Sequence, residues 1–215
     1  MPYELLILAA FHPELAPLRS CLGDRMSGTI EGREVAARVV GIGLPMAAVG
    51  TAMQLMELEP RRVILVGTCG AYPGSGLRIG DVVAARRIHL VDATVVAGRA
   101  QFPAPMSVLA ESHGPTLDAL TKAGAREADA ATTLAITVDD STAEHIARAT
   151  GTQAEHLEAY GVVTACAARG VPCAVALGVA NIVGARARDE WRANHRQAAS
   201  AAVEVVLRSL QTPPA

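Results

Sequence analysis

Short apolar runs that end in glycine turns and alternate with helical stretches are the feature that most restricts what this chain can become. Residues 3–11 are apolar but too short for a helix, and Pro13 then opens a helical pattern with Leu15, Leu18 and Cys21 on one face. Two β-like pieces flank the turn Glu31-Gly32, the second at 35–40. Gly41-Ile42-Gly43 breaks that strand, and Pro45 falls in the first turn of a helix over 46–57, where proline is tolerated. A buried strand at 62–67 ends in Gly67-Thr68-Cys69-Gly70, and further strands are predicted at 81–85, 88–91, 135–138 and 171–179. Helices are predicted at 116–124, from the capping-box tetrad Ser141-Thr142-Ala143-Glu144 just after the strand 135–138, at 154–169 and at 190–210. The proline-rich stretch 98–115 reads as irregular, and the tail 211–215 as frayed. This alternation predicts an α/β fold: a three-layer α/β/α sandwich around a central mixed, largely parallel sheet. Neither repeats nor linker composition divide residues 1–215, which are expected to form a single domain.

Composition narrows the function. At 51% hydrophobic residues the chain has material for a large core, and a net charge of −2 offers no polycationic face for nucleic acid. Aromatics, at 3%, are too sparse for base-stacking platforms. Every apolar run is interrupted before the eighteen or so residues of a membrane span, and the first fifteen residues lack the basic start of a secretory signal, so a cytoplasmic protein is expected. Cys21, Cys69, Cys166 and Cys173 read as reduced core thiols. The partner implied is a small molecule, with no nucleic acid and no membrane.

The motifs exclude several chemistries. Gly41-x-Gly43 fails the dinucleotide fingerprint, because Met46 stands at the third glycine and no acidic residue follows at the required distance. The six histidines form no metal-ligating pattern, and Gly74-Ser75-Gly76 lacks the spacing of a hydrolase elbow, so neither metal nor organic cofactor is expected. Two glycine turns after two strands can face one crevice at the carboxyl ends of a sheet, with backbone N–H groups near a ligand. Glu14, directly after a buried strand, suits a general base there as well as it suits an ordinary helix-start carboxylate. On the residues alone, Glu155 and Glu158 read as a solvated helix face and Asn181 as a turn residue.

In order along the chain, AAFHPEL, GIGLPMAAVGTAMQL, VILVGTCGAY, LRIGDVV and AEHLEAYGVVTACAARGVPCAVALGVANIVG resemble the nucleoside phosphorylase and nucleosidase superfamily, with a weak match over 98–135. The resemblance implies hydrolysis or phosphorolysis of an N-glycosidic bond. By it, Glu14 falls on the water-activating glutamate, Glu158 on the glutamate that holds the ribose hydroxyls, and Leu157 on a methionine beneath the sugar. Thr68, with Cys69 and Gly70, falls on the anion or water site, Asn181 on the catalytic acid that contacts the purine, and Val138 near the segment over the base. The family usually forms dimers or larger rings, so a homo-oligomer is implied, and helix 46–57 could serve its interface.

The departures sharpen that picture. Leu65 and Leu177 stand where phosphorylases keep arginines, which leaves a phosphate co-substrate little to neutralise it and favours water. Asn181 cannot pass a proton to N7 of an aminopurine but can hydrogen-bond a 6-oxopurine edge. With Asn181-Ile182-Val183-Gly184 and Arg188-Asp189-Glu190-Trp191, it resembles the futalosine hydrolase branch, which releases hypoxanthine in a menaquinone pathway. Arg188 and Trp191 would then approach the distal part of the substrate. His156 replaces a glutamate and Ala180 a serine, so sugar recognition is expected to differ. A methylthioadenosine or S-adenosylhomocysteine nucleosidase, a phosphate-dependent phosphorylase, and a nucleoside-binding protein without turnover remain the alternatives.

Overall fold

The computed structural model describes residues 3–211, so the expectation for residues 212–215 lies outside the described residues. In chain order the strands and helices begin with β1 (Leu5–Ala9), α1 (His12–Leu15), a 3-10 turn (Ala16–Leu18), α2 (Arg19–Leu22), β2 (Ser27–Ile30) and β3 (Arg33–Val39). Next come α3 (Leu44–Leu58), β4 (Val63–Ala71), β5 (Val82–Leu90), α4 (Ala93–Val96), β6 (Leu109–Glu111) and α5 (Gly114–Lys122). The chain continues through β7 (Arg126–Thr132), α6 (Asp140–Thr150), β8 (Ala154–His156), α7 (Ala159–Ala168), β9 (Cys173–Ile182) and α8 (Ala187–Gln211).

Strands β3, β1, β4 and β9 lie side by side and parallel, with β2 antiparallel at the edge. Both faces of this sheet are covered, which is why its strands are continuous apolar runs rather than alternating ones. One face packs α3 and α7 against Leu6, Leu8, Leu65, Val175 and Leu177. The other packs α1, α5 and α8 against Ile7, Ile64, Val66 and Ala176. Each such leucine, isoleucine or valine contributes about 1.5–3 kcal/mol by leaving water. The architecture is the expected α/β one, and a further feature is superimposed on it. β4 pairs β9, β9 pairs β5, β5 pairs β7, β7 pairs β8, and β8 returns to the end of β4, so five strands close on themselves.

Five local expectations are corrected. Residues 154–156 are a strand, not the first turn of a helix: Ala154 and Glu155 pair with Ala71 and Gly70, and tertiary pairing overrides helix propensity. The strand expected at 135–138 lies earlier, at Arg126–Thr132, held between β5 and β8 despite its alanine-rich, acidic composition. The capping residue of α6 is Asp139, whose carboxylate accepts from the Thr142 N–H at 2.7 Å, so the helix starts before the expected tetrad. Expected strands 81–85 and 88–91 are one strand, β5, with an irregularity between Ala85 and Ile88. Cys21 is exposed, unlike Cys69, Cys166 and Cys173, which are buried thiols.

Helix α3 has two unlike faces. Ala47, Thr51 and Leu55 face the sheet, whereas Met46, Val49, Met53 and Met56 are 57–67% exposed on its outer face. Its close seat on the sheet depends on Gly50, where a Cβ would lie 2.1 Å from the Val40 carbonyl oxygen. No helix among the described residues is long and apolar enough to cross a membrane.

Candidate active site

The ends of β1, β4 and β9 meet β8 around one crevice, and the register explains which side chains share it. Gly70, near the end of β4, has Asn181 of β9 on one side and Glu155 of β8 on the other. A register shift between Cys69 and Gly70 accommodates the change of neighbours. Glycine at position 70 makes room for the Asn181 side chain, because a Cβ there would sit 2.7 Å from both Asn181 Nδ2 and Val183 Cγ2 and displace them. The Cys69 side chain turns away into the core, where burial pushes its thiol up to about 12, so only its backbone belongs to the crevice.

Glu14 enters from α1. Its Oε2 accepts from the Ala10 N–H at 3.2 Å, and its Oε1 accepts from the Thr68 N–H at 3.0 Å and the Thr68 hydroxyl at 3.3 Å. Gly67 lets the carboxyl approach β4 this closely, since a Cβ there would meet Oε1 at 3.1 Å. The carboxyl is 3% exposed. Burial first, and then the charge of Glu158, push its pKa from 4.5 up to about 8, against the pull of the Thr68 and Ala10 hydrogen bonds. A carboxyl so placed exchanges its proton near neutral pH, as a general base requires.

Glu158 is the N-terminal boundary of α7 and is also buried, at 4%. Its Oε1 accepts from the Gly43 N–H at 2.7 Å, so the first glycine turn serves the site by orienting a carboxylate. Its Oε2 lies 3.1 Å from His156 Nε2. His156 Nδ1 accepts from the Glu158 and Ala159 N–H groups at 3.3 and 3.1 Å, which leaves the ring proton on Nε2, donated to Glu158. Burial holds the His156 pKa below its usual value despite the Glu158 charge, so the ring is a neutral donor. Both its nitrogens are engaged within the chain, and its place is behind Glu158. Each Glu158 oxygen keeps a lone pair for a ligand hydroxyl.

Glu155 is not solvated. It is 6% exposed, accepts from the Tyr72 hydroxyl at 2.9 Å and from the Thr137 N–H at 3.0 Å, and ties residues 133–138 to β4. Burial and the Glu155 charge raise the Tyr72 pKa, so the phenol remains a donor to that carboxylate. Val138, on the tied segment, is 68% exposed, and no hydrogen bond joins it to Glu14, Thr68 or Glu158. Leu157 is half-buried between His156 and Glu158 in sequence. Asn181 is 8% exposed, and its Nδ2 donates to the Ile182 carbonyl at 3.1 Å.

Helix α8 closes the far side. Trp191 Nε1 donates to Thr68 Oγ1 at 3.1 Å, its ring stacks on His195 at 4.3 Å, and it lies 6.2 Å from the Phe11 ring. With its oxygen accepting from the indole, Thr68 directs its own proton to Glu14. Nothing in the sequence pattern announces this relay, because Trp191 and Thr68 are 123 residues apart. Glu190 accepts from the Ile182 N–H at 2.8 Å and Asn194 donates to the Ala180 carbonyl at 3.1 Å, so α8 also braces the strand around Asn181. Arg188 is exposed.

A family model described as the phosphorylase superfamily matches residues 1–211. A 5'-methylthioadenosine/S-adenosylhomocysteine nucleosidase of Maridesulfovibrio salexigens is 39% identical over 101 residues, 42% of this chain and 43% of that protein. The match thus spans less than half the length of that curated relative. Among solved structures, the same kind of nucleosidase from Colwellia psychrerythraea, in complex with adenine, has a TM-score of 0.86 at 21% identity, covering 98% of this chain and 95% of that one. A futalosine hydrolase mutant of Helicobacter pylori has a TM-score of 0.86 at 17% identity, covering 95% and 97%. At those identities the two structures establish the fold.

The raised Glu14 pKa carries a stability signature. The folded chain keeps this proton up to about pH 8, whereas the unfolded chain releases it near 4.5. Between those values the folded state binds more protons, so the contribution of this group to stability falls as pH rises. Wild-type stability is therefore expected to decline between pH 5 and 8 by up to about 1.4 kcal/mol per pH unit from this group. Glu14→Gln should flatten that slope, as read from urea midpoints across the range; an unchanged slope would place the ionisation elsewhere.

Proposed function

The chain belongs to the phosphorylase superfamily, and from that premise we propose that it is a purine nucleoside N-ribosyl hydrolase. The observation that carries the reading is the pairing of two buried carboxyls in one crevice, one of them with a pKa near 8 and the other with free lone pairs. In the proposed reaction the bond from the ribose C1' to the purine nitrogen lengthens and positive charge develops on the sugar. Glu158 accepts from the ribose hydroxyls, held in position by Gly43 and His156. Deprotonated Glu14 takes a proton from water as the water oxygen bonds to C1', and the electron pair of the broken bond leaves with the base. Asn181 faces the departing purine and stabilises it by hydrogen bonding, with the proton that completes the free base coming from solvent.

Water rather than phosphate is supported by Leu65 and Leu177, both fully buried in the core beneath the crevice where an arginine would have been needed. For the base, the curated relatives carry most weight. Their names are those of methylthioadenosine and S-adenosylhomocysteine nucleosidases, and this substrate class is better backed than the futalosine expected from sequence. Futalosine hydrolase enters only through structural neighbours, and the reading that favours it rests on Asn181, whose amide suits a 6-oxopurine edge and has no acidic proton to give.

We further propose that two copies of the chain associate through the outer face of α3. Four exposed apolar side chains in one helical stripe, Met46, Val49, Met53 and Met56, with exposed Ile42 before them, form the kind of surface that soluble monomers rarely leave open. Leu134, Ile136 and Val138 are exposed as well, so a partner is the reason proposed for apolar residues on a segment that Glu155 holds down.

Chromatography of the products from methylthioadenosine, S-adenosylhomocysteine, inosine and futalosine, with and without phosphate, tests the reaction. Base release independent of phosphate is expected, with kcat/KM rising with pH through about 8 as Glu14 ionises. Glu14→Gln should lower kcat by about 10²–10⁴. Release that requires phosphate would overturn the hydrolase. Asn181→Asp should raise adenine release relative to hypoxanthine release, and an unchanged ratio would show that the amide does not select the base. Sedimentation equilibrium should give twice the chain mass for the wild type and the single-chain mass for Met53→Glu.

A further inference from the structure

A cavity of about 240 Å³ opens between α1, α2 and the β2–β3 hairpin, apart from every residue of the crevice named above. Its polar lining is made of basic residues only: His12, Arg19, Arg25 and Arg38. Leu15, Met26, Ala37 and Val39 supply an apolar wall, and no carboxylate lines it. The three guanidinium groups are permanently charged and repel one another across the space. Among the described residues none of the three forms an ion pair, although the chain holds 21 acidic residues that could have supplied one.

The cations are also partly preorganised. Arg38 Nη1 donates to the Met26 carbonyl at 3.0 Å and to the Ala37 carbonyl at 2.8 Å, which fixes the guanidinium and leaves its other N–H groups for a ligand. Met26 holds its carbonyl there in a left-handed conformation, with φ of 48°. Arg19 comes from α2, Arg25 from the turn before β2 and Arg38 from β3, so donors converge from three elements. Convergence from several directions fits the tetrahedral oxygens of a phosphate better than the planar fork of a carboxylate, and a dianion offsets more of the accumulated charge.

We propose that this cavity binds a small phosphomonoester, with its phosphate on Arg19, Arg25 and Arg38 and its organic body on Leu15, Met26 and Val39. The site is distinct from the crevice in which the reaction is placed and does not depend on that reading. The test is titration calorimetry of the full chain at low salt with phenyl phosphate, inorganic phosphate and benzoate as probes. Phenyl phosphate is expected to bind one per chain, at least tenfold tighter than either of the others. The double variant Arg19→Gln/Arg25→Gln should weaken it at least tenfold with an unchanged circular dichroism spectrum, and each single variant should give a partial loss. Wild-type affinity in these variants would place the anion elsewhere, such as beside Thr68, and overturn the assignment. Absence of phenyl phosphate binding to the wild type would overturn it too, and benzoate binding as tightly as phenyl phosphate would overturn the choice of phosphate.

Discussion

A carboxyl group held out of water at the edge of a sheet is the constraint around which the crevice is arranged. Glu14 lies close against β4 where Gly67 has no side chain to crowd it, and it is tolerated there because Ala10 and Thr68 direct three donors at it. Those donors compensate the burial only in part. The charge of Glu158 adds to it, and the sum is a proton held to about pH 8. The strain is electrostatic rather than steric, and it resides on the group that the proposed reaction would use to move a proton.

Ring closure of the sheet supplies the second carboxylate. Without the short strand β8 pairing to the end of β4, Glu158 would start its helix at the surface; with it, residues 154–158 are drawn inside. The carboxylates of this segment each then accept from two partners: Glu155 from Tyr72 and Thr137, Glu158 from Gly43 and His156. Buried acidic groups of this density persist only when their lone pairs are engaged. His156 illustrates how a substitution that looks disruptive in sequence can be absorbed. A neutral imidazole with a fixed tautomer donates to the carboxylate beside which a second acid would have repelled it.

Much of this was legible in the sequence where local chemistry decides local structure. The glycine turns after β3 and within β4, the proline at the start of α3 and the long α8 follow from the properties of those residues. What the sequence hid is set by contacts between distant segments. Helical periodicity placed Glu155 and Glu158 on a solvated face, whereas strand pairing at Ala154–His156 buries both. The strand Arg126–Thr132 has the composition of a helix or loop and exists because two neighbours hydrogen-bond to it. The methionines of α3 were compatible with packing on the sheet, and only the placement of Thr51 and Ala47 determines that they face outward. The indole of Trp191 bonds a hydroxyl more than a hundred residues earlier, beyond the reach of any local pattern.

That indole contact has an implication for how the protein is made. Thr68, Glu14 and the glycine turns emerge from the ribosome early, but α8 is the latest of the described elements to appear. Until it docks, the Thr68 hydroxyl has no indole to fix its direction, the Ile182 N–H has no Glu190 carboxylate, and the end of β9 is unbraced. A nascent chain that stops short of α8 therefore lacks both the bond that fixes the Thr68 hydroxyl and the cover over Ile64, Val66 and Ala176, so the ordering of the crevice waits on α8.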